Sequence, residues 1–403
     1  MSKTRRALAV LLVLAAVLGV VGGSAAWLYL TAQPDYQLRR AQEAIARGDW
    51  DRAEHIATGL EAKGYTDHAH LLRGEGLLGQ CLYAQALAEF NRIQDQGAIR
   101  LRAVVLSGQC LVQLKSFSEA ERSLRFALSE QPENVDAHRG LAALYYDLGA
   151  VMRAAYHCLE WARLDPHDGR PYRFLGLIYK ELPDENDQAI TFYQEALARE
   201  LSPAALEDVR EELAECLVKQ SSYARALELL DQCHPRSGDV PKTTALRAES
   251  FWALGRDTEA RALLDRALAD EPGSPELLRV RAKMHLAANE PKAAAALFER
   301  VLADNRNDYE ARFQLAQAYE LLGRRTEAAA QRRLGLQTQE DLKELTKLNR
   351  QLIYDPWNAT ARERLAAVYR KLGRPDIAAG LLRAAAAHAA PGHGTPPPPK
   401  KAG

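Results

Sequence analysis

The chain has 403 residues, 47% hydrophobic and 26% charged, with 53 Lys and Arg balanced by 53 Asp and Glu. That much apolar side chain excludes intrinsic disorder as the main state. The zero net charge argues against a nucleic-acid binder relying on a globally basic surface. The zero is a sum of unlike parts: residues 1–34 carry +3, residues 35–308 carry −10 and residues 309–403 carry +7. Arginine supplies 40 of the positive charges and alanine is abundant, a composition that points to a GC-rich bacterial genome.

At the amino terminus, residues 1–6 form a basic flank with Lys3, Arg5 and Arg6, and an uncharged apolar run follows from Ala7 to Leu30. A helix over 7–30 would be about 36 Å long, enough to cross a hydrocarbon core of about 30 Å. Trp27 and Tyr29 stand where an interfacial aromatic belt would lie, which favours a retained anchor. Gly23-Ser24-Ala25-Ala26 offers the alternative of a cleaved signal and a secreted or periplasmic protein. The flanking charge sets the expected topology: a single-pass bacterial inner-membrane protein, amino terminus cytoplasmic, body exported.

From residue 34 a ladder of alanines runs through the chain: Ala53, Ala86, Ala120, Ala154, Ala189, Ala226, Ala260, Ala294, Ala328 and Ala378. The steps are 33, 34, 34, 35, 37, 34, 34, 34 and 50 residues. Twelve residues before the rungs sits a second small residue, among them Ala41, Gly74, Gly108, Ala142, Ala214 and Ala248, with Gly176 one place out of step before Ala189. Large side chains such as Leu77, Leu111, Tyr145, Phe251 and Tyr319 lie nine before. Glycine falls five before at Gly48, Gly149, Gly255, Gly323 and Gly373, and proline twelve after at Pro132, Pro166 and Pro272.

Several offsets recurring together resemble the tetratricopeptide repeat, a helix–turn–helix unit of 34 residues. The resemblance implies an all-α, right-handed α-solenoid of about ten repeats, preceded by one transmembrane helix. Repeats one to nine are expected over 34–342 and the last over 359–392. Small residues on the first helix let the second approach closely, glycine ends the first helix in a left-handed turn, and proline stops the second. The long last step leaves an inserted helical segment at 343–358, where Leu342, Leu345, Leu348 and Leu352 share a stripe. It reads as an elongated second helix or an additional one, serving packing or docking. Residues 393–403, with four consecutive prolines and two lysines, form an extended tail.

The search for chemistry is negative. There is no Walker loop, no H-E-x-x-H and no G-x-S-x-G. His68 and His70 at i, i+2 point apart on a helix, and Cys158 beside His157 falls where the repeat needs a core residue. The five cysteines include no C-x-x-C pair. No cofactor, metal, nucleic acid or small-molecule substrate is expected, and the chain is not expected to be an enzyme; a hydrolase built on His157 or on His68 and His70 is the rival.

In the repeat family the first helices line a concave peptide-binding groove. Carried over by spacing, that face holds Arg102, Val105, Arg139, Tyr146, Arg170, Arg173, Leu177 and Lys180, then Asp208, Glu211 and Glu215, then Glu249 and Trp252. A basic stretch bearing an aromatic suits an acidic peptide, because arginine makes forked, charge-assisted bonds. The alternative is that these charges pair between adjacent repeats. The expected function is a membrane-anchored scaffold that binds protein partners during bacterial envelope assembly, with an accessory subunit of surface-polysaccharide or outer-membrane assembly as the variant.

Overall fold

The computed structural model describes residues 33–182, 184–233, 240–354 and 358–389. The apolar run 7–30, its basic flank and the tail 393–403 lie outside them. Among the described residues there are twenty helices, one isolated bridge between Asp168 and Glu200, and no helix long and apolar enough to cross a membrane.

The helices pair in chain order. Repeat 1 is α1 (Pro34–Ala46) and α2 (Trp50–Glu61), repeat 2 is α3 (Thr66–Gly79) and α4 (Tyr83–Phe90), and repeat 3 is α5 (Ala98–Gln113) and α6 (Phe117–Glu130). Repeat 4 is α7 (Val135–Asp147) and α8 (Val151–Leu164), repeat 5 is α9 (Arg170–Lys180) and α10 (Asn186–Leu197), and repeat 6 is α11 (Pro203–Lys219) and α12 (Tyr223–Leu230). Then come α13 (Val240–Ala253) with α14 (Asp257–Asp270), α15 (Pro275–Ala287) with α16 (Pro291–Asp304), and α17 (Tyr309–Leu321) with α18 (Arg325–Tyr354). The last hairpin is α19 (Ala359–Lys371) with α20 (Pro375–Ala389). The chain divides into two compact units, one ending at Gly140 and the other starting at Leu141.

The ladder is the buried seam of this array. All ten rung alanines are at most 4% exposed, because the second helix lies against the first there and only a methyl group fits. Where the companion small residue is glycine, the facing side chain is large. A Cβ on Gly74 would sit 2.2 Å from the Phe90 ring, and one on Gly176 would sit 2.6 Å from the Tyr193 ring. Phe90 and Tyr193 both stand four residues after their rungs, so lost volume on one helix is matched by gained volume on the other.

The hairpin turns are alike in geometry and unlike in composition. Each has a residue at positive φ five before its rung. Five are the glycines expected there, and five are Cys81, Lys115, Asp184, Ser221 and Asn289, with φ between 58° and 64°. Gly149 donates its N–H to Tyr146 O and Ala150 to Tyr145 O; Ser221 donates to Val218 O and Ser222 to Leu217 O. The same pair of reverse bonds caps both helices, so hydrogen bonding holds the left-handed turn with or without glycine.

The inserted segment continues the second helix of the ninth repeat. α18 runs unbroken for 30 residues, and Leu348 and Leu352 near its end form a core with Leu365, Ala366 and Leu381 of α19 and α20. In the second unit α18 also touches α8. A Cβ on Gly149 would lie 3.8 Å from Leu365 and Tyr369, and Leu148, Ala150 and Val151 are buried in that turn. The corresponding turns at Gly255, Gly323 and Gly373 are exposed, so the last repeat packs against the first hairpin turn of its unit.

Candidate functional site

Within each unit the first helices contribute polar side chains one after another, and in the first unit Glu75 is the centre of such a band. It accepts from Gln42 Nε2 of α1 at 3.2 Å and from Arg102 Nε of α5 at 2.5 Å, tying three successive first helices together. Burial pushes the Glu75 carboxyl above its usual range, and Arg102 and Gln42 offset this only in part. Arg139 pairs with Asp136 of its own helix at 2.8 Å. Val105, expected on the groove face, is instead buried, at 3% exposure, and offers no surface there.

In the second unit the predicted groove residues pair mostly from repeat to repeat. Tyr146 donates its hydroxyl to Glu181 at 2.7 Å and meets the Phe174 ring edge-on; burial, then the Glu181 charge, push its phenol well above the usual range. Arg173 reaches Asp208 at 3.1 Å and Glu212 at 3.3 Å. Lys180 reaches Glu215 at 2.9 Å. Lys242 spans Glu211 at 2.8 Å and Glu215 at 3.3 Å, and Lys283 takes Glu249 at 2.7 Å. Trp252 and Leu177 are half-buried on the same helices. Arg170 turns away onto the loop between repeats, where it pairs with buried Asp168 at 2.7 Å and lies over the Trp161 ring.

Among the carboxylates of the band Glu215 is shifted furthest. Burial works to raise its carboxyl, yet Lys180, Lys219 and Lys242 outweigh that and hold it at about 2. Burial likewise works against the charge on Lys242, but its bonds to Glu211 and Glu215 leave its ammonium above the ordinary lysine range. The band is therefore largely self-neutralised. A polar partner entering it would exchange existing ion pairs for new ones.

Spacing brought Arg173, Lys180, Glu211, Glu215 and Trp252 to one band of the second unit but missed Lys219, Lys242 and Lys283, which complete it, and in the first unit it missed Gln42 and Glu75. A signal existed: Glu75, Glu215, Glu249 and Lys283 all fall eleven residues before a rung alanine.

The histidines are occupied separately. His70 Nδ1 lies 2.8 Å from Glu89, while His68 sits edge-on to Tyr65 and His157 stacks on Tyr145. Cys158 is fully buried, and burial pushes its thiol far up. Among the described residues no three His, Cys, Asp or Glu side chains are grouped to hold a metal ion. Asn358, which opens a formal glycosylation sequon, caps α19 by accepting from Ala361 N at 2.8 Å.

Residues 106–169, 217–284 and 275–318 match the tetratricopeptide-repeat family. Superkiller complex protein 3 of Mus musculus is 26% identical over 321 residues, covering 77% of this chain and 20% of that protein. Tetratricopeptide repeat protein 37 of Xenopus laevis is 25% identical over 255 residues, covering 60% and 16%. The chain thus spans a fifth or less of these relatives. Among solved structures, Pseudomonas aeruginosa pilF is similar at 19% identity with a TM-score of 0.46, covering 54% of this chain and 97% of that one.

Proposed function

With a body built of tetratricopeptide repeats in an all-helical, solenoid-like array as premise, we propose that this chain is a protein-interaction scaffold that binds a segment of a partner along its first helices. The supporting observation is the band itself: Arg173, Lys180, Glu211, Glu215, Lys242 and Glu249 follow one another over three repeats, with Leu177 and Trp252 among them. Successive helices offering one contact each suit an extended partner read by many small contributions. The scaffold holds its partner and performs no chemistry on it.

The proposal extends to location. The basic flank and the run 7–30 anchor the chain in a bacterial inner membrane, with the repeats on the exported side for envelope assembly. Mass spectrometry of the mature amino terminus tests the anchor, since a chain beginning at Ala26 or Trp27 refutes it.

Crosslinking followed by capture tests the groove. Arg139→Glu and Trp252→Ala are the informative variants, because among the described residues Arg139 pairs only within its own helix turn whereas Arg173 joins two repeats. Loss of partners recovered with wild type supports the groove; an unchanged set of partners in both variants overturns it.

A further inference from the structure

The outer stripe of α18 differs from the band. Arg325, Ala329, Arg333, Leu336, Glu340 and Lys347 follow at three-, four- and seven-residue spacing on one exposed face. Two shallow depressions of about 520 and 410 Å³ run along it and meet at Glu340. Leu336 at its middle is 58% exposed. Arg332 pairs with Glu320 at 2.8 Å, but among the described residues neither Arg325 nor Arg333 has a carboxylate within ion-pair distance. Glu340 has only Lys343, at 3.6 Å, leaving lone pairs for a second cation.

Arg333 precedes Leu336 and Glu340 follows it at equal distances from the point between Leu336 and Gln337, while Lys343 and Lys347 stand further along the same exposed face. Reversing the helix places Arg333 opposite Glu340 twice over, which is the condition for a self-complementary contact across a twofold axis. We propose that α18 is the surface through which two copies of this chain pair, antiparallel, about an axis between Leu336 and Gln337. In that register Arg333 of each copy faces Glu340 of the other, the Leu336 side chains close over the centre, and Ala329 leaves room for Glu344. Lys347, opposite Thr326 and next to Arg325 at the ends, is already engaged by its own Glu344 at 3.9 Å. A second copy is the occupant because this one stripe supplies both members of the Arg333–Glu340 pair, with Leu336 between them.

A single helix face is at the small end of specific interfaces, so association in the ~1–100 μM range is expected. The test is sedimentation of the full-length chain in mild detergent across that range. Wild type forms a concentration-dependent dimer. Leu336→Asp and Arg333→Glu each weaken it by about tenfold or more, and Arg333→Glu with Glu340→Arg restores it. Pairing through the apolar run 7–30 is insensitive to all three changes, and all three positions are exposed, so folding is unaffected. A monomer throughout the range, a dimer indifferent to Leu336→Asp, or failure of the charge swap to restore association overturns the proposal.

Discussion

Repeats 2 and 6 place a glutamate at the same position, on the first helix eleven residues before the rung, and the two behave oppositely. Glu75 is 7% exposed, with one arginine and one glutamine for partners and the Asp136 charge nearby, and its carboxyl is raised. Glu215 is somewhat more exposed, at 20% of its side chain, and faces three lysines, and its carboxyl falls to about 2. Burial alone penalises the charged form at both sites; the count of cations decides the sign. The lesson is that one repeat position has no fixed electrostatic character, because its neighbours come from other repeats.

The largest test of that contrast is Glu215→Gln, expected to cost on the order of 3 kcal/mol at pH 7, from a shift of two to three pKa units. Since the folded pKa is depressed, wild type keeps this stability above about pH 4.5 and loses it as pH falls towards 2. The variant lacks that slope, which urea midpoints across pH would show.

Packing around the same position comes next. Gly74→Ala drives a methyl group into the Phe90 ring and should cost about 2 kcal/mol, whereas Ala214→Gly in repeat 6 clashes with nothing and costs about 1 kcal/mol through added backbone freedom and a lost buried methyl. Equal effects would mean that the two hairpins share one spacing.

The turns should not distinguish the repeats. Cys81 and Ser221 both hold φ near 60°, so Cys81→Gly and Ser221→Gly should each stabilise by up to about 1 kcal/mol, seen as slower hydrogen exchange in the adjoining helices.

Smallest is Glu75→Gln, expected to change stability by less than about 1 kcal/mol, because the lost pair with Arg102 is offset by removing a poorly solvated charge. Here the sign reverses. The raised folded pKa means wild type gains stability as pH falls through that value towards 4.5, and the variant loses this gain. A cost at pH 7 as large as that of Glu215→Gln would remove the comparison.

Much of the hairpin was legible because each feature depends on its own repeat. The rung alanine, its small companion and the positive-φ position lie within about 12 residues of one another. Local steric rules act on them identically in every copy. The five turns without glycine were legible too, by counting five back from each rung, although their residue types gave no hint. The fate of the candidate groove was not. Arg173, Lys180 and Glu215 reached one band as spacing required. Whether they stand free or neutralise each other depends on residues 35 to 39 positions away, in repeats whose lengths vary.

From the sequence alone come an all-helical repeat array, the identity of its seam and the places where its helices turn, since those follow from side-chain volume and backbone conformation at close range. Tertiary structure alone decided that the long last step is one continuous 30-residue helix, that the last repeat covers the turn at Gly149, and that the predicted basic and acidic stretches are partners of one another. Charge acts through space, across interfaces that exist only after the repeats have stacked, and no spacing rule within one unit contains it.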